Sequence, residues 1–526
     1  MIRLIRPLSL HMVSRFVALL LLLGACSSAE TLDSTGSSAA PASTTTSSST
    51  TSQQEPPVFH LFDSEGLDLE VFRDGLITAE KSVVDQMFSS APLYEMDLVM
   101  KEDLTGISGA MSVRFVNGEV GALGEVVFRL FPNISDGSVL VNGLAVDGSS
   151  VEPSYGLDGS VMTVPLESPL QPGEHVIITM EIDVTAPIEE GGKYGTFLLD
   201  DEILAFSHFF PILAVYDDEG WNTEIPAPHG DSVFSDSGFF LVRLETPMNL
   251  TVVTSGQLVA KEVLPDSDNE ARFYSAGPVR DFYLAASHRF EMIQVRVGET
   301  IINSFAPPEF AAQNQDVLAS VEASVAMFNE LYGSYPYTEL DFVSTATLAL
   351  GVEYPGVVAM AMGHYDPESG FDQPTIVSTV VHEVAHQWFY GTVGNDQLDE
   401  PWLDEAMAQY ATWVYWRETQ GEGGDEGFRT HLDSRWARVE YADIPIGLPA
   451  DAYEGTEYGA IVYGRGPLFV DGLAKIVGQE TFDEFLAEYA ATFKYGIAST
   501  QGYQALLERH CGCDLSHEFE AAVYPR

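Results

Sequence analysis

Basic residues are scarce: 24 lysines and arginines face 78 aspartates and glutamates in 526 residues, a formal net charge of −54. A surface of that sign repels a phosphate backbone, which excludes a nucleic-acid partner. The acid is spread along the chain, as suits a soluble, self-repelling exterior. Cysteine is nearly absent, with three in the whole chain. That excludes a disulfide-built scaffold, and two cysteines beyond Cys26 are too few for a thiolate metal site. Cys511 and Cys513 stand as Cys-Gly-Cys, either reduced or joined in a small strained bridge for which the spacing is poor. Long apolar runs are lacking as well. The stretch from Phe16 to Leu23 is too short to span a bilayer as a mature helix. No internal repeat is evident.

That apolar stretch has another reading. Arg3, Arg6 and Arg15 precede or flank it, as in the basic region of a signal peptide covering residues 1–25. Leu23-Gly24-Ala25-Cys26 then resembles the bacterial lipobox, in which the cysteine left by cleavage is lipidated. The expectation is an exported protein held to a membrane by acyl chains on Cys26. Residues 26–60 are dominated by Ser and Thr and cannot bury enough apolar surface to fold, so they read as a flexible tether.

The remainder is long enough for two or three domains. From residue 61 to about 295 the pattern is short alternating runs between Gly, Pro, Asn and Asp. Ala110–Phe115, Glu125–Leu130 and Phe239–Leu244 are examples, and they predict an antiparallel β-domain. From 296 to 526 the spacing becomes helical. Val317–Tyr332 ends at Gly333, a strand follows at Leu340–Val343, and further helices are expected around Leu468–Val477, Phe482–Tyr489 and Tyr503–Leu507.

Within that half stands His382-Glu383-Val384-Ala385-His386. Two histidines four apart on a helix share a face, so both imidazoles can grip one metal ion with Glu383 beside them. The third ligand decides the class. A histidine six residues on, preceded by a glycine, is ruled out because Phe389 and Thr392 occupy those positions. A second helix begins near Pro401, its apolar stripe running from Trp402 up to Gly421, and it carries Glu405. Two nitrogens, one carboxylate and an open fourth position make a catalytic rather than a structural zinc site.

Gly351-Val352-Glu353-Tyr354-Pro355-Gly356 precedes the histidine helix, and Tyr463-Gly464-Arg465-Gly466 follows the third ligand. With these segments the chain, from about Tyr94 onward, resembles the aminopeptidase N family of zinc metallopeptidases, the gluzincins. The resemblance implies an α+β multidomain protein: an N-terminal β-domain walling the cleft, then a thermolysin-like, mainly helical catalytic domain. The expectation is a member that lacks the large helical C-terminal domain of many relatives. It implies one zinc per chain on His382, His386 and Glu405, with Glu383 as general base. It also implies that Tyr463 supports the tetrahedral intermediate and Glu353 binds the substrate amine. Val352 and Tyr354 depart from the family's Met and Asn, and Gly464-Arg465 from its Glu-Lys, while Tyr453 and Tyr458 compete with Tyr463 for register. Asp404 is either a carboxylate orienting a zinc histidine or an exposed acid of the helix's first turn.

A second amine anchor is expected from the β-domain, yet none stands near Phe206–Pro211. His208, His229, His288 and His364 read as ordinary polar or packing residues. The function expected is a lipid-tethered aminopeptidase acting on peptides outside the cell, of unspecified oligomeric state. The alternatives are an endopeptidase of restricted specificity and a catalytically silent surface binding module.

Overall fold

The computed structural model describes residues 67–189, 193–265 and 267–525. The signal segment, the lipobox at Cys26 and the Ser/Thr-rich tether lie outside the described residues. Among the described residues no helix is long and apolar enough to cross a membrane.

Alternation builds the first half. In the strand His175–Thr185, Val176, Ile178, Met180, Ile182 and Val184 turn inward, while His175, Glu181, Asp183 and Thr185 face solvent. It belongs to an eight-stranded sheet whose central members are Asn269–Val279, Gly238–Pro247, Leu93–Met100, Gly106–Val116 and His175–Thr185, in that spatial order. The expected antiparallel pairing holds except at the middle, where Leu93–Met100 runs parallel to Gly238–Pro247. Those two strands are far apart in the chain and joined by a long crossover, which is what parallel pairing requires. Two four-stranded sheets and a short two-stranded pair complete this half.

The change of architecture comes slightly before the expected 295/296 boundary, at the hairpin of Glu291–Val297 and Thr300–Ala306. That hairpin opens a five-stranded sheet continued by Glu339–Thr345, Val357–Ala361 and the edge strand Gly351–Val352. The helix Ala311–Tyr332 makes the crossover between the parallel strands Thr300–Ala306 and Glu339–Thr345 and stops at Gly333. Against it packs the histidine helix, Gln373–Ala385, with Pro374 in its first turn. Asp372 caps it by accepting from the Thr375 amide at 3.0 Å.

The next helix spans Trp402–Trp436 and does not end at Gly421, where the sequence pattern stops. Gly421 (φ 62°, ψ −144°) instead bends the chain, and helix resumes beyond it. That backbone conformation is open to glycine alone without strain. The three predicted C-terminal helices appear as Gly466–Val477, Gln479–Thr492 and Thr500–Cys511. Cys511 and Cys513 are bridged, contrary to the expected poor geometry: the turn at Gly512 brings their Cα atoms to 5.2 Å.

Buried Arg280 clips the two halves together. It donates to the carbonyls of Ser235 and Tyr390, each at 3.0 Å, and to that of Gly496. The loop from His229 to Ser235 is thereby held against the catalytic half. His229 also reaches the Ala450 carbonyl at 2.6 Å and lays its ring on Tyr458.

Candidate active site

A cavity of about 860 Å³ lies between the β-half and the helices, lined by His382, Glu383, His386, Glu405, Glu353 and Tyr463 among others. The structure brings together every site residue expected from the catalytic half. His382 and His386 point their Nε2 atoms at one another across 3.1 Å, and Glu405 Oε2 stands 3.2 and 3.4 Å from them. Zinc held at 2.0–2.1 Å by a tetrahedral donor set spaces its ligand atoms about 3.3 Å apart. The three observed separations fit that figure. Glu405 Oε2 is buried without a hydrogen-bond partner, as a carboxylate oxygen meant for a metal would be.

His386 Nδ1 faces the Phe389 carbonyl at 3.1 Å, which fixes the tautomer that leaves Nε2 a lone pair. His382 Nδ1 has no such partner. Burial, then His386, pull His382 down to about 4, so its ring stays neutral and able to ligate. Burial opposes charge on His386 too, but Glu353 and Glu405 outweigh it and raise that group. For Glu405 burial pushes upward, and the two imidazoles more than offset it, holding the carboxylate low.

Glu383 is buried, and burial followed by the nearby Glu353 raises it well above the carboxylate range. Its Oε2 has no partner. Gly351 passes directly over it on the edge strand, and a Cβ at that position would collide with the Glu383 carboxyl. The glycine therefore lets the strand carrying the next segment approach the base closely. Tyr463 donates its hydroxyl to Glu405 Oε1, and its ring centroid lies 5.9 Å from that of His382. It sits in a π-helical turn, Ile461–Arg465, a distortion frequent at functional sites. Tyr458 lies beside it, with its buried hydroxyl unpartnered. Tyr453 is elsewhere engaged, donating to the Pro445 carbonyl at 3.1 Å.

Asp404 takes neither expected place. It is only 1% exposed, and it accepts from Gln397 at 2.8 Å and from the Glu405 amide at 2.7 Å rather than from an imidazole. Its carboxylate belongs to a second group, with Glu353 and Asp231, whose oxygens all lie within 4.8 Å of one another. Burial, then Asp231, push Glu353 up to about 8. Burial, then Glu405, do the same to Asp404, also to about 8. Glu353 Oε1 has no hydrogen-bond partner and stands 3.9 Å from His386.

Asp231 is the residue that reading the sequence missed. It comes from the β-half, on the clamped His229–Ser235 loop, and not from the neighbourhood of Phe206–Pro211. Its only local signal is Gly230-Asp231-Ser232, a common loop composition. Of the four histidines set aside, none joins either group. His208 lines the cleft and is held by buried Asp281 at 2.6 Å, and His364 is buried against the Ala361 carbonyl.

One helix giving two histidines, the next giving a glutamate, and a second glutamate between the histidines make the donor arrangement of a gluzincin-type metal site. Residues 318–520 match the peptidase family M1 domain. The catalytic half thus carries the domain of peptidase family M1. It is 26% identical to Aminopeptidase M1-B of Oryza sativa subsp. japonica over 292 residues, covering 52% of this chain and 32% of the relative. Aminopeptidase 2, mitochondrial, of Saccharomyces cerevisiae is 25% identical over 289 residues, covering 52% and 30%. The chain thus spans about a third of the length of the curated relatives it matches. The crystal structure of the M1 zinc metallopeptidase from Deinococcus radiodurans superposes with a TM-score of 0.60 at 19% identity, covering 83% of this chain and 95% of that one.

Proposed function

We propose that the protein is a zinc aminopeptidase that removes N-terminal residues from peptides. The observation that carries this reading is the carboxylate group at Glu353, Asp231 and Asp404, closing the cleft directly beside the zinc triad. Two buried acids and a half-buried third so close together are costly unless a cation joins them, and a peptide's α-ammonium supplies one. Anchored there, the substrate presents its first peptide bond to the triad, which is exopeptidase geometry.

Zinc, when bound by His382, His386 and Glu405, supplies Lewis acidity toward a carbonyl oxygen and water. Glu383 takes the proton from the attacking water and later hands it to the leaving amine nitrogen. Its raised proton affinity suits a group that must carry that proton between two steps. Tyr463, whose hydroxyl is held far above its ordinary range first by burial and then by Glu405, remains a hydrogen-bond donor. It offers that hydrogen to the oxygen on which negative charge develops.

The reading extends to location. Leu23-Gly24-Ala25-Cys26 and the Ser/Thr-rich stretch after it support an exported enzyme lipid-anchored through Cys26, working outside the cytoplasm. Fractionation of a Cys26→Ser variant tests the anchor, which predicts release from membranes. Incubation with aminoacyl-coumarin amides, with and without a chelator, tests the activity. Chelator-sensitive release of coumarin, abolished by N-acetylation of the substrate, is expected. Cleavage of acetylated and free substrates at equal rates would replace the aminopeptidase with an endopeptidase.

A further inference from the structure

The opposite wall of the cleft carries charge of the other sign. His431, Arg435 and Arg438 line the same cavity as the triad, in a chain with only 24 lysines and arginines. Other arginines are spent on ion pairs, as at Arg73, Arg243, Arg272, Arg289 and Arg465. Arg435 and Arg438 pair with no carboxylate among the described residues. Arg435 instead donates Nε–H to His431 Nε2 at 3.1 Å and lies over the Tyr463 ring, 5.6 Å from its centroid. That arrangement fixes the guanidinium plane and leaves its two terminal nitrogens for a ligand.

The bend at Gly421 puts them there. In a straight helix residues 405 and 435 would stand about 45 Å apart. Folded back at Gly421, the second arm returns to the first, and Arg435 covers the tyrosine that bonds Glu405. The two charged walls flank the triad on different sides. Glu353 is next to His386, whereas Tyr463 and Arg435 are on the side of His382.

We propose that Arg435 and Arg438, with His431 orienting Arg435, form a carboxylate subsite on the leaving-group side of the scissile bond, which favours short peptides with a free C-terminus. The proposal rests on the aminopeptidase reading, since the amine anchor sets which side is which. A planar guanidinium takes a carboxylate through two parallel hydrogen bonds, and a second cation beside it adds to the attraction. The same chemistry recognises an acidic side chain just beyond the cleaved bond, so the substrates must separate the two sources.

The test uses the zinc-loaded full chain and three substrates sharing one N-terminal residue: X-Ala-Ala as free acid, X-Ala-Ala amide, and X-Asp-Ala amide. The free acid should exceed its amide in kcat/KM by about 10-fold or more, chiefly through KM. Arg435→Gln and Arg438→Gln should each bring that ratio towards one, with Arg435→Lys retaining part of it. Arg438 is exposed, so its replacement leaves packing intact even if Arg435→Gln disturbs Tyr463. X-Asp-Ala amide matching the free acid would assign the subsite to a side chain, and matching the plain amide would assign it to the C-terminus. Calorimetric binding of acid and amide to a Glu383→Gln variant gives the same comparison without turnover. Equal values for acid and amide, in rate and in binding, overturn the subsite alone. Failure to hydrolyse any free-amine substrate overturns the aminopeptidase reading and the subsite with it.

Discussion

Neutralising Asp231 should harm the proposed reaction and strengthen the fold, and both effects follow from its place beside Glu353 and Asp404. At an effective dielectric constant of about 20, two unit charges separated by the 4.8 Å limit of this group repel by about 3.5 kcal/mol. The free protein avoids the full cost by keeping protons, which is why burial and neighbouring charge lift Glu353 to about 8. A substrate ammonium reverses the balance, and each charge-assisted hydrogen bond to it is worth about 1.5–3 kcal/mol. Asp231→Asn, like Glu353→Gln, should therefore lower kcat/KM for free-amine substrates by about 10- to 100-fold.

The unliganded protein should meanwhile unfold at a higher temperature. A carboxyl with a raised pKa in the folded state loses its contribution to stability as pH climbs from the unfolded value near 4.5 through 8. The stabilisation by Glu353→Gln should accordingly be slight at pH 4.5 and reach a few kcal/mol above pH 8. Steady-state kinetics on aminoacyl-coumarin amides, with thermal unfolding at both ends of that range, give the two readouts. A variant that loses stability along with activity, or gains the same stability at both pH values, would refute the electrostatic reasoning.

Glu405→Ala should remove zinc and activity together, read by metal analysis, whereas Glu383→Gln should retain zinc and lower kcat by at least about 10²-fold. Tyr463→Phe should depress kcat by about 10²-fold with little change in KM, while Tyr453→Phe should leave kinetics unaltered, because its hydroxyl is occupied at the Pro445 carbonyl. His364, held down to about 4 chiefly by burial, stays neutral in the fold while the unfolded chain takes up a proton below about pH 6.5. Its contribution is intact above pH 6.5 and is lost as pH falls towards 4. A His364→Gln variant should show less acid destabilisation across that window, measured by unfolding midpoints.

What could be read in advance was what lies within one helical turn or one motif. His382, Glu383 and His386 share a helix face, and Glu405 heads the next helix, so local periodicity sufficed. Glu353 was legible through its segment, although Tyr354 replaces the expected asparagine. Asp231 was not, because it reaches Glu353 only through the docking of the two halves by Arg280, a contact no local pattern encodes. Asp404 was misjudged for a related reason: its surroundings are set by Gln397 and the acid group, not by its place in a first turn. The basic wall was hidden by Gly421, which reads as a helix stop and acts as a hinge point between two arms.

That bend separates two kinds of inheritance. The arm before Gly421 holds the metal ligand, and any change there risks the chemistry itself. The arm after it carries residues that touch neither metal nor base, on a tip rich in glycine at 421, 423 and 424. Insertions at that tip would shift the far arm by whole residues while leaving the zinc ligands in register. A lineage built on this scaffold can therefore alter the peptides it accepts by editing a few positions around one hairpin, at little risk to the bond-breaking apparatus.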